Sequence, residues 1–388
     1  HIGGKEIANR PSSSAVDALQ GKVPGLQILS SSGEPSSIAS IRLYGVGSLG
    51  SSSSSPLFVV DGIPITDAAV RSLNQADFES ISVLKDASAT SIYGSRASNG
   101  VVVIETKVAP DGVLSVSYNG GLTIQSPDLT DYKLMNAKEK LQMEWDAGVY
   151  DPTNDKSMNR YNSLLRNVLA GVDTYWLSKP LRTAFQHRHS LSASGGTDVF
   201  RYSLDLNTTF TPGVMKGSSQ NIKSINFNMT YRKENITIGA ALNLSESGGH
   251  NSPYGSFAEY TRVNPYYRPT NEFGEYLRQL DNHTGAGSVP IANPLFNANV
   301  GIKDLTSSTN IAATLNLECR LLKNLRLTEN LSYQRGMARS ERFLPAEHTS
   351  FLTELDKTLR GSYTKNTGEM TSWSSNLGLN WNMSLRKH

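Results

Sequence analysis

An antiparallel membrane β-barrel sheet preceded by a small α/β unit is the fold class this sequence predicts, on three observations. From residue 113 onward, eight segments alternate apolar and polar residues with period two, which gives each strand one apolar and one polar face. The connections between those segments alternate between tight turns of about four residues and long links, as in transmembrane barrels. Hydrophobic residues make up 38% of the chain, below the roughly 45–50% of ordinary globular chains. The polar side of each strand must therefore face something wet.

Bulk composition excludes more than it selects. The 37 basic and 34 acidic residues of the 388 leave a net charge of +3, and no basic run is long enough to point to nucleic acid. Cys319 is the single cysteine, so neither an internal disulfide nor a thiolate metal cluster is possible. No stretch approaches the roughly 20 apolar residues of a membrane helix. The opening HIGGKEIANR has neither the basic nor the apolar region of a signal peptide, so an export signal is expected to have been removed or to lie upstream.

Residues 1–110 read as the α/β unit. Ser14 and Asp17 fit a capping box ahead of a short helix, and Gly25 after Pro24 is its stop. Short strands are predicted over 40–44, 57–60, 81–84 and 101–106, between Gly, Ser and Pro punctuation. The serines of 51–55 form a flexible loop, and a second short helix opens at Asp86 and ends near Gly94. GVGSLG, with Gly45, Gly47 and Gly50, matches the dinucleotide fingerprint, but SSSSSP follows where that motif needs a helix start. The glycines are assigned to tight turns.

Residues 111–388 hold the eight strands. In VLSVSYNGGLTI, Leu114, Val116, Tyr118, Leu122 and Ile124 share one side, opposite Ser115, Ser117, Asn119 and Thr123. FRYSLDLNTTF repeats the pattern, as do INFNMTY, ITIGAALNL, NIAATLNLE, LRLTENLSY and SSNLGLNWNMSL, with QHRHSLSAS a weaker member. Most have about the ten residues that cross a bilayer at a tilt. Tight turns fall at 195–198, 232–235 and 321–324, and long links at 125–185, 211–221, 245–308 and 335–369. Segments 136–147 and 158–170 read as helices inside the first link. Any one strand fits a water-soluble sandwich as well; eight strands in this turn pattern favour the barrel.

His187 and His189 point to one face of their strand and could share a metal, but that face is apolar and near a strand end, so they read as interfacial histidines. No Ser–His–Asp order or carboxylate pair stands out, so no catalytic residue, metal site or cofactor is expected. Glu329 falls on the apolar side of its strand, which a register shift or a bulge would explain. The link aromatics Trp176, Tyr254, Tyr260, Tyr266, Tyr267 and Phe273 are candidates to stack on sugars or peptide side chains, against the plainer reading of loop packing.

The runs DALQGKVPGLQILSSSGEPSSIASIRLYGVGS, PLFVVDGIPI and DFESISVLKDASATSIYGSRASNGVVVIETK, in that order, resemble the plug domain of the SusC/RagA-like TonB-dependent transporters, over about residues 15–107. FQHRHSLSASGGTDVFRYSLDL and VSYNG resemble that family's early barrel strands. The resemblance implies a plug at 1–110, then the N-terminal portion of a multi-pass barrel at 111–388, with long extracellular loops at 125–185, 245–308 and 335–369. It implies an outer-membrane protein of Gram-negative Bacteroidota that breaks no bond. Its partners would be a SusD-like surface lipoprotein over the mouth, TonB of the inner-membrane energising complex, outer-membrane lipid, and oligosaccharide or peptide cargo. Such barrels have about 22 strands, so eight imply a fragment or a separate remaining piece.

The chain places Tyr44 where the family commonly has Arg after this plug strand, and no TonB-box-like segment precedes residue 15. Plug–barrel ionic contacts are expected from Arg42, Glu79, Lys85, Asp86 and Arg96, with Glu318 as a lumenal partner. Cargo contacts are expected from Ser48, Ser51, Ser53 and the link aromatics. The alternatives to nutrient import are a TonB-dependent siderophore receptor or signal transducer, and a non-enzymatic surface adhesin.

Overall fold

The computed structural model describes residues 2–3, 21, 26–29, 35, 40–43, 55–65, 70, 78–84, 93, 97–107, 112–282 and 289–382. The expected capping box at Ser14, the helix from Asp86, the glycines of GVGSLG and the serines 51–54 lie outside them.

The N-terminal unit is built on a mixed five-stranded sheet. Its strands are β1 (Ile2–Gly3), β4 (Leu57–Val60), β5 (Ile63–Ile65), β6 (Phe78–Leu84) and β7 (Val101–Thr106), in the order β1-β6-β7-β4-β5. A hairpin of β2 (Leu26–Leu29) and β3 (Ser40–Leu43) accompanies it. β4 runs parallel to β7, with Leu57 opposite Val101, while β6 is antiparallel to it. Continuous apolar runs suit central strands covered on both faces. Phe58, Val102 and Ile104 pack on one face with Leu26, Ile28, Ile41 and Leu43 of the hairpin, and Val59 and Val101 pack on the other with Ala97. Each such fully buried side chain contributes about 1.5–3 kcal/mol.

Two turns explain the punctuation of this unit. Asp61 and Gly62 have φ of 49° and 84° and join β4 to β5 as the two-residue Asp-Gly hairpin loop. Gly100, with φ of 88°, lies against the Leu43 side chain, which a Cβ there would overlap. Strands β1, β2 and β5, of two to four residues, were not read in the sequence.

The second sheet has eight antiparallel strands: β8 (Gly112–Gln125), β9 (Ala184–Gly196), β10 (Phe200–Pro212), β11 (Ser219–Lys233), β12 (Ile236–His250), β15 (Lys303–Leu322), β16 (Leu325–Leu344) and β17 (Ser362–Trp381). The first seven each contain one of the alternating segments, the eighth segment (374–385) begins in β17 and runs past its end, and successive strands of the sheet pair throughout. They run from 13 to 20 residues, longer than the ten expected. At about 3.3 Å per residue and about 40° of tilt, a 20-residue strand stands roughly 50 Å tall, beyond the apolar band of about 25 Å. The longer strands shorten the long links to 126–183, 213–218, 251–302 and 345–361, and the turns to 197–199, 234–235 and 323–324. A small hairpin of β13 (Gln279–Asn282) and β14 (Pro290–Ala292), unread in the sequence, sits in the third link.

Exposure on this sheet is inverted relative to a water-soluble one. Leu114, Val116, Tyr118, Leu122 and Ile124 are 56–69% exposed. On the opposite face Ser190, Asn207, Ser224, Ser245 and Asn310 form one cross-strand row, and all but Asn207 are buried to 6% or less. Across its inner strands the sheet shows its apolar side outward and covers its polar side, as a sheet does in lipid around a filled interior, while the edge strands β8 and β17 are exposed on both faces. No helix among the described residues is long and apolar enough to cross a membrane.

Glu329 needs neither a bulge nor a register error. It is in continuous register between Leu317 and Leu377, and its carboxylate accepts a 2.6 Å hydrogen bond from the Ser375 hydroxyl on the neighbouring strand. His187 and His189 lie on the apolar face as expected, each against an aromatic ring. His187 meets Phe210 at 5.4 Å, and His189 Nδ1 sits 2.6 Å from the Tyr118 hydroxyl. The described residues contain no metal-ligating group of three or more side chains.

Candidate functional site

The sheet ends with long links carry their own folded layer. Helix α1 (Ala137–Asp146) starts with a capping box between Asn136 and Glu139, and α2 (Asp155–Leu169) is capped by the Asn154 side chain. Both helices pack on the third link through a core that includes Leu141, Leu164, Trp176, Tyr260, Tyr266 and Tyr267. A buried polar network ties the two links. The Glu144 carboxylate accepts from the Tyr150 hydroxyl at 2.8 Å and the Tyr266 hydroxyl at 3.0 Å, and Asn264 donates to Tyr266. Arg160 Nε donates to Asp281 at 2.8 Å, and the Tyr267 hydroxyl donates to the same oxygen at 3.1 Å. Burial, with the Asp281 charge second, pushes the Tyr267 phenol up to about 12. Burial likewise raises Tyr150, Tyr260 and Tyr266. All four phenols are fixed donors at any physiological pH.

Beside this core is a cleft of about 990 Å³. Its walls come from six chain segments: 127–132, 181, 214–215, 251–259, 292–304 and 342–350. Three carboxylates line it, Asp128, Glu259 and Asp304, with Arg342 and His348. Arg342 Nε lies 3.5 Å from Asp304, whose other oxygen accepts from the Asn251 side chain at 2.9 Å. Asp128 accepts from the Thr130 hydroxyl and amide, which lower its pKa. His348 Nδ1 accepts from the Ser350 amide at 3.1 Å, which requires the ring nitrogen to be unprotonated. Burial, then Arg342 and Arg278, push His348 below the usual histidine range, so the ring is neutral at pH 7.

A second feature lies where the small sheet meets the large one. Asp61 accepts from the Thr106 amide at 2.9 Å and the Thr106 hydroxyl at 2.7 Å, clamping the end of β7. A cavity of about 190 Å³ separates Asp61, Thr106 and Lys107 from Arg201, Asn228 and Asn316 on the polar face of the large sheet. Lys107 acts electrostatically on Asp205, which also bonds Ser192 on the adjacent strand. This longer-range electrostatic interaction links the two sheets.

The expected site residues fall unevenly onto this geometry. Arg42 lies on β3 with its Nε buried and without a hydrogen-bond partner among the described residues. Glu79 is exposed on β6. Glu318 sits on the polar face as expected, but its cation among the described residues is Arg326 on the next strand, at 3.3 Å. Lys85, Asp86, Arg96, Ser48, Ser51 and Ser53 lie outside the described residues. Trp176, Tyr260, Tyr266 and Tyr267 are 1–3% exposed and build the core of the link layer, which takes them out of a ligand's reach. Tyr254 is half-buried against that core, and Phe273 is 88% exposed. Sequence reasoning missed Lys107 and Asp205. The available signal was Asp205 itself, the one carboxylate among the polar-side residues of FRYSLDLNTTF.

Comparison with known proteins places these features. The family model for the TonB-dependent receptor plug domain matches residues 1–101. The TonB-dependent receptor SusC of Bacteroides thetaiotaomicron is 34% identical over 222 residues, which cover 55% of this chain and 21% of that protein. The TonB-dependent receptor P26 of Formosa agariphila is 29% identical over 307 residues, 77% of this chain and 30% of the relative. The RagAB peptide importer in its open-open state superposes over 100% of this chain and 45% of its own, with a TM-score of 0.79 and 25% identity. The ferric citrate transporter FecA shares the fold at a TM-score of 0.53 and 13% identity. The chain thus spans less than half the length of each of these relatives, which are receptors and transporters rather than enzymes. A plug sheet joined to eight barrel strands, matched along its whole length by RagAB, gives this chain the architecture of the SusC/RagA-like TonB-dependent transporters, to which it is similar in sequence over the plug and the first strands.

Proposed function

We propose that this chain is the plug, residues 1–110, and the N-terminal barrel portion, residues 111–388, of an importer that draws a nutrient oligomer across the outer membrane of a Bacteroidota cell. The observation that supports the reading is the pairing of a compact plug sheet with a large sheet whose apolar face is outward and whose polar face is covered over its inner strands. The long-link end faces outward, beneath a SusD-like surface lipoprotein, and cargo docks in the cleft there. TonB, energised at the inner membrane, pulls on the plug and opens a path. The cargo is a peptide or an oligosaccharide; the RagAB likeness supports the former.

In this reading Lys107 and Asp205 hold the plug against the barrel wall, together with the contacts expected of Arg42, Glu79, Lys85, Asp86 and Arg96. Phe273 and Tyr254 remain candidates for cargo or lid contact from the link layer. A partly buried charge pair of this kind costs desolvation and yields register more than stability. The test is a deletion strain grown on peptide or glycan oligomers as the limiting nutrient. Loss of growth on one oligomer class, reproduced by deletion of TonB, is expected. Undiminished growth on every oligomer tried overturns the reading.

A further inference from the structure

The long-link cleft is charged unevenly and its apolar surface is organised for side chains rather than rings. Asp128 and Glu259 are exposed on two different links that both line it. Each carboxylate keeps its local backbone fold, Asp128 through Thr130 and Glu259 through the cap of Ser256, where its oxygen accepts from the Ser256 amide at 3.2 Å. The third carboxylate, Asp304, is met by Arg342. The remaining basic group, His348, is neutral because its Nδ1 is committed as an acceptor. Among the described residues that line the cleft, three carboxylates face one arginine and no cation answers Asp128 or Glu259, which leaves the lining with an excess of negative charge.

Its apolar lining includes Leu129, Met215, Phe257 and Leu344. The two lining aromatics, Tyr132 and Phe257, engage each other edge to face, with centroids 5.9 Å apart at 70°. The four link rings that could have made a flat platform for a sugar are buried beneath the layer. At about 990 Å³ the cleft is at the upper end of the ~300–1,000 Å³ range of ligand sites.

We infer that this cleft binds a short peptide carrying cationic side chains beside aliphatic ones, with Asp128 and Glu259 as the groups that select charge. The inference rests on the nutrient-import reading and narrows its cargo. An anionic or sulfated glycan is rejected by the same two carboxylates. A neutral glycan finds hydrogen-bond partners but only the edge-to-face pair of Tyr132 and Phe257 to stack on.

The experiment uses the intact native polypeptide, purified in detergent with its lipoprotein partner. Calorimetric titration compares Ala-Lys-Leu-Lys-Ala, acetylated and amidated to remove terminal charge, with Ala-Glu-Leu-Glu-Ala and with maltopentaose. The lysine peptide is expected to bind at least about tenfold more tightly than the glutamate peptide, a difference of ~1.4 kcal/mol. Asp128→Asn and Glu259→Gln keep the turn and the cap, and each is expected to weaken the lysine peptide by about 1.5–5-fold, as for an exposed ion pair. Raised salt should reduce the difference further.

Equal binding of both peptides, or affinity for the lysine peptide untouched by both substitutions, overturns the inference. Binding of maltopentaose in place of peptide overturns it while leaving the import reading intact, and so does the absence of all three interactions. Failure of the growth test above removes the import reading itself, so the two outcomes are distinguishable.

Discussion

Replacing Glu144 with Ala removes the acceptor on which the link layer converges. Glu144 is 8% exposed and takes hydrogen bonds from two tyrosine hydroxyls, Tyr150 at 2.8 Å and Tyr266 at 3.0 Å, with Lys140 Nζ at 3.4 Å. Its loss leaves both buried phenols without an acceptor, at about 1–3 kcal/mol each. Return of the buried carboxylate's desolvation cost offsets part of that, so a net loss of about 3 kcal/mol is expected for the layer. Tyr266→Phe removes one hydroxyl and leaves Glu144 with Tyr150 and Lys140, for about 0.5–1.5 kcal/mol. The readout is hydrogen exchange resolved by segment, which separates opening of the layer from opening of the strands as a melting temperature does not. In Glu144→Ala, amides of α1 and α2 should exchange about two decades faster, and in Tyr266→Phe about three- to tenfold faster. β11 and β12 should not change. Unaltered exchange in both helices, or an equal rise in the strands, would refute the assignment of this network as the tie between the two links.

Three further outcomes follow from the same geometry. His348 is held below its ordinary pKa of about 6.5, so the unfolded link binds more protons than the folded one as pH drops past that value. The stability of 345–361 is expected to fall with pH from there downward, and His348→Gln to flatten the trend; exchange rates corrected for intrinsic pH dependence check both. Gly196 has φ of 138°, and a Cβ on it would overlap the Phe200 carbonyl oxygen across the β9–β10 turn, so Gly196→Ala should lower the heat-resistant folded fraction on a gel, by at least about 1–3 kcal/mol in turn strain. Asp205→Asn removes the charge that faces Lys107; increased entry of a large antibiotic with normal protein abundance is expected, and unchanged entry would remove this pair from the lock.

The sequence by itself determined the strands and their faces. Alternation with period two is a property of the local backbone, so Leu114 to Ile124 and their counterparts declared an apolar side before any neighbour was known. Turn and link lengths then ordered the strands, since an antiparallel neighbour joined by a few residues has nowhere else to pair. The helices α1 and α2 were legible for the same local reason, through caps and period. What covers each face was not local. Tertiary structure alone decided that Trp176, Tyr260, Tyr266 and Tyr267 are core rather than contact surface, because burial depends on the first and third links packing together, with Trp176 bonded to Asn264 88 residues on and Tyr266 to Glu144 122 residues back. Glu329 was an anomaly in one dimension and is a satisfied acceptor once Ser375, 46 residues on, lies beside it. The cleft and the Lys107–Asp205 interaction are likewise meetings of distant segments, and a single sequence carries periodicity along the chain but not proximity across it.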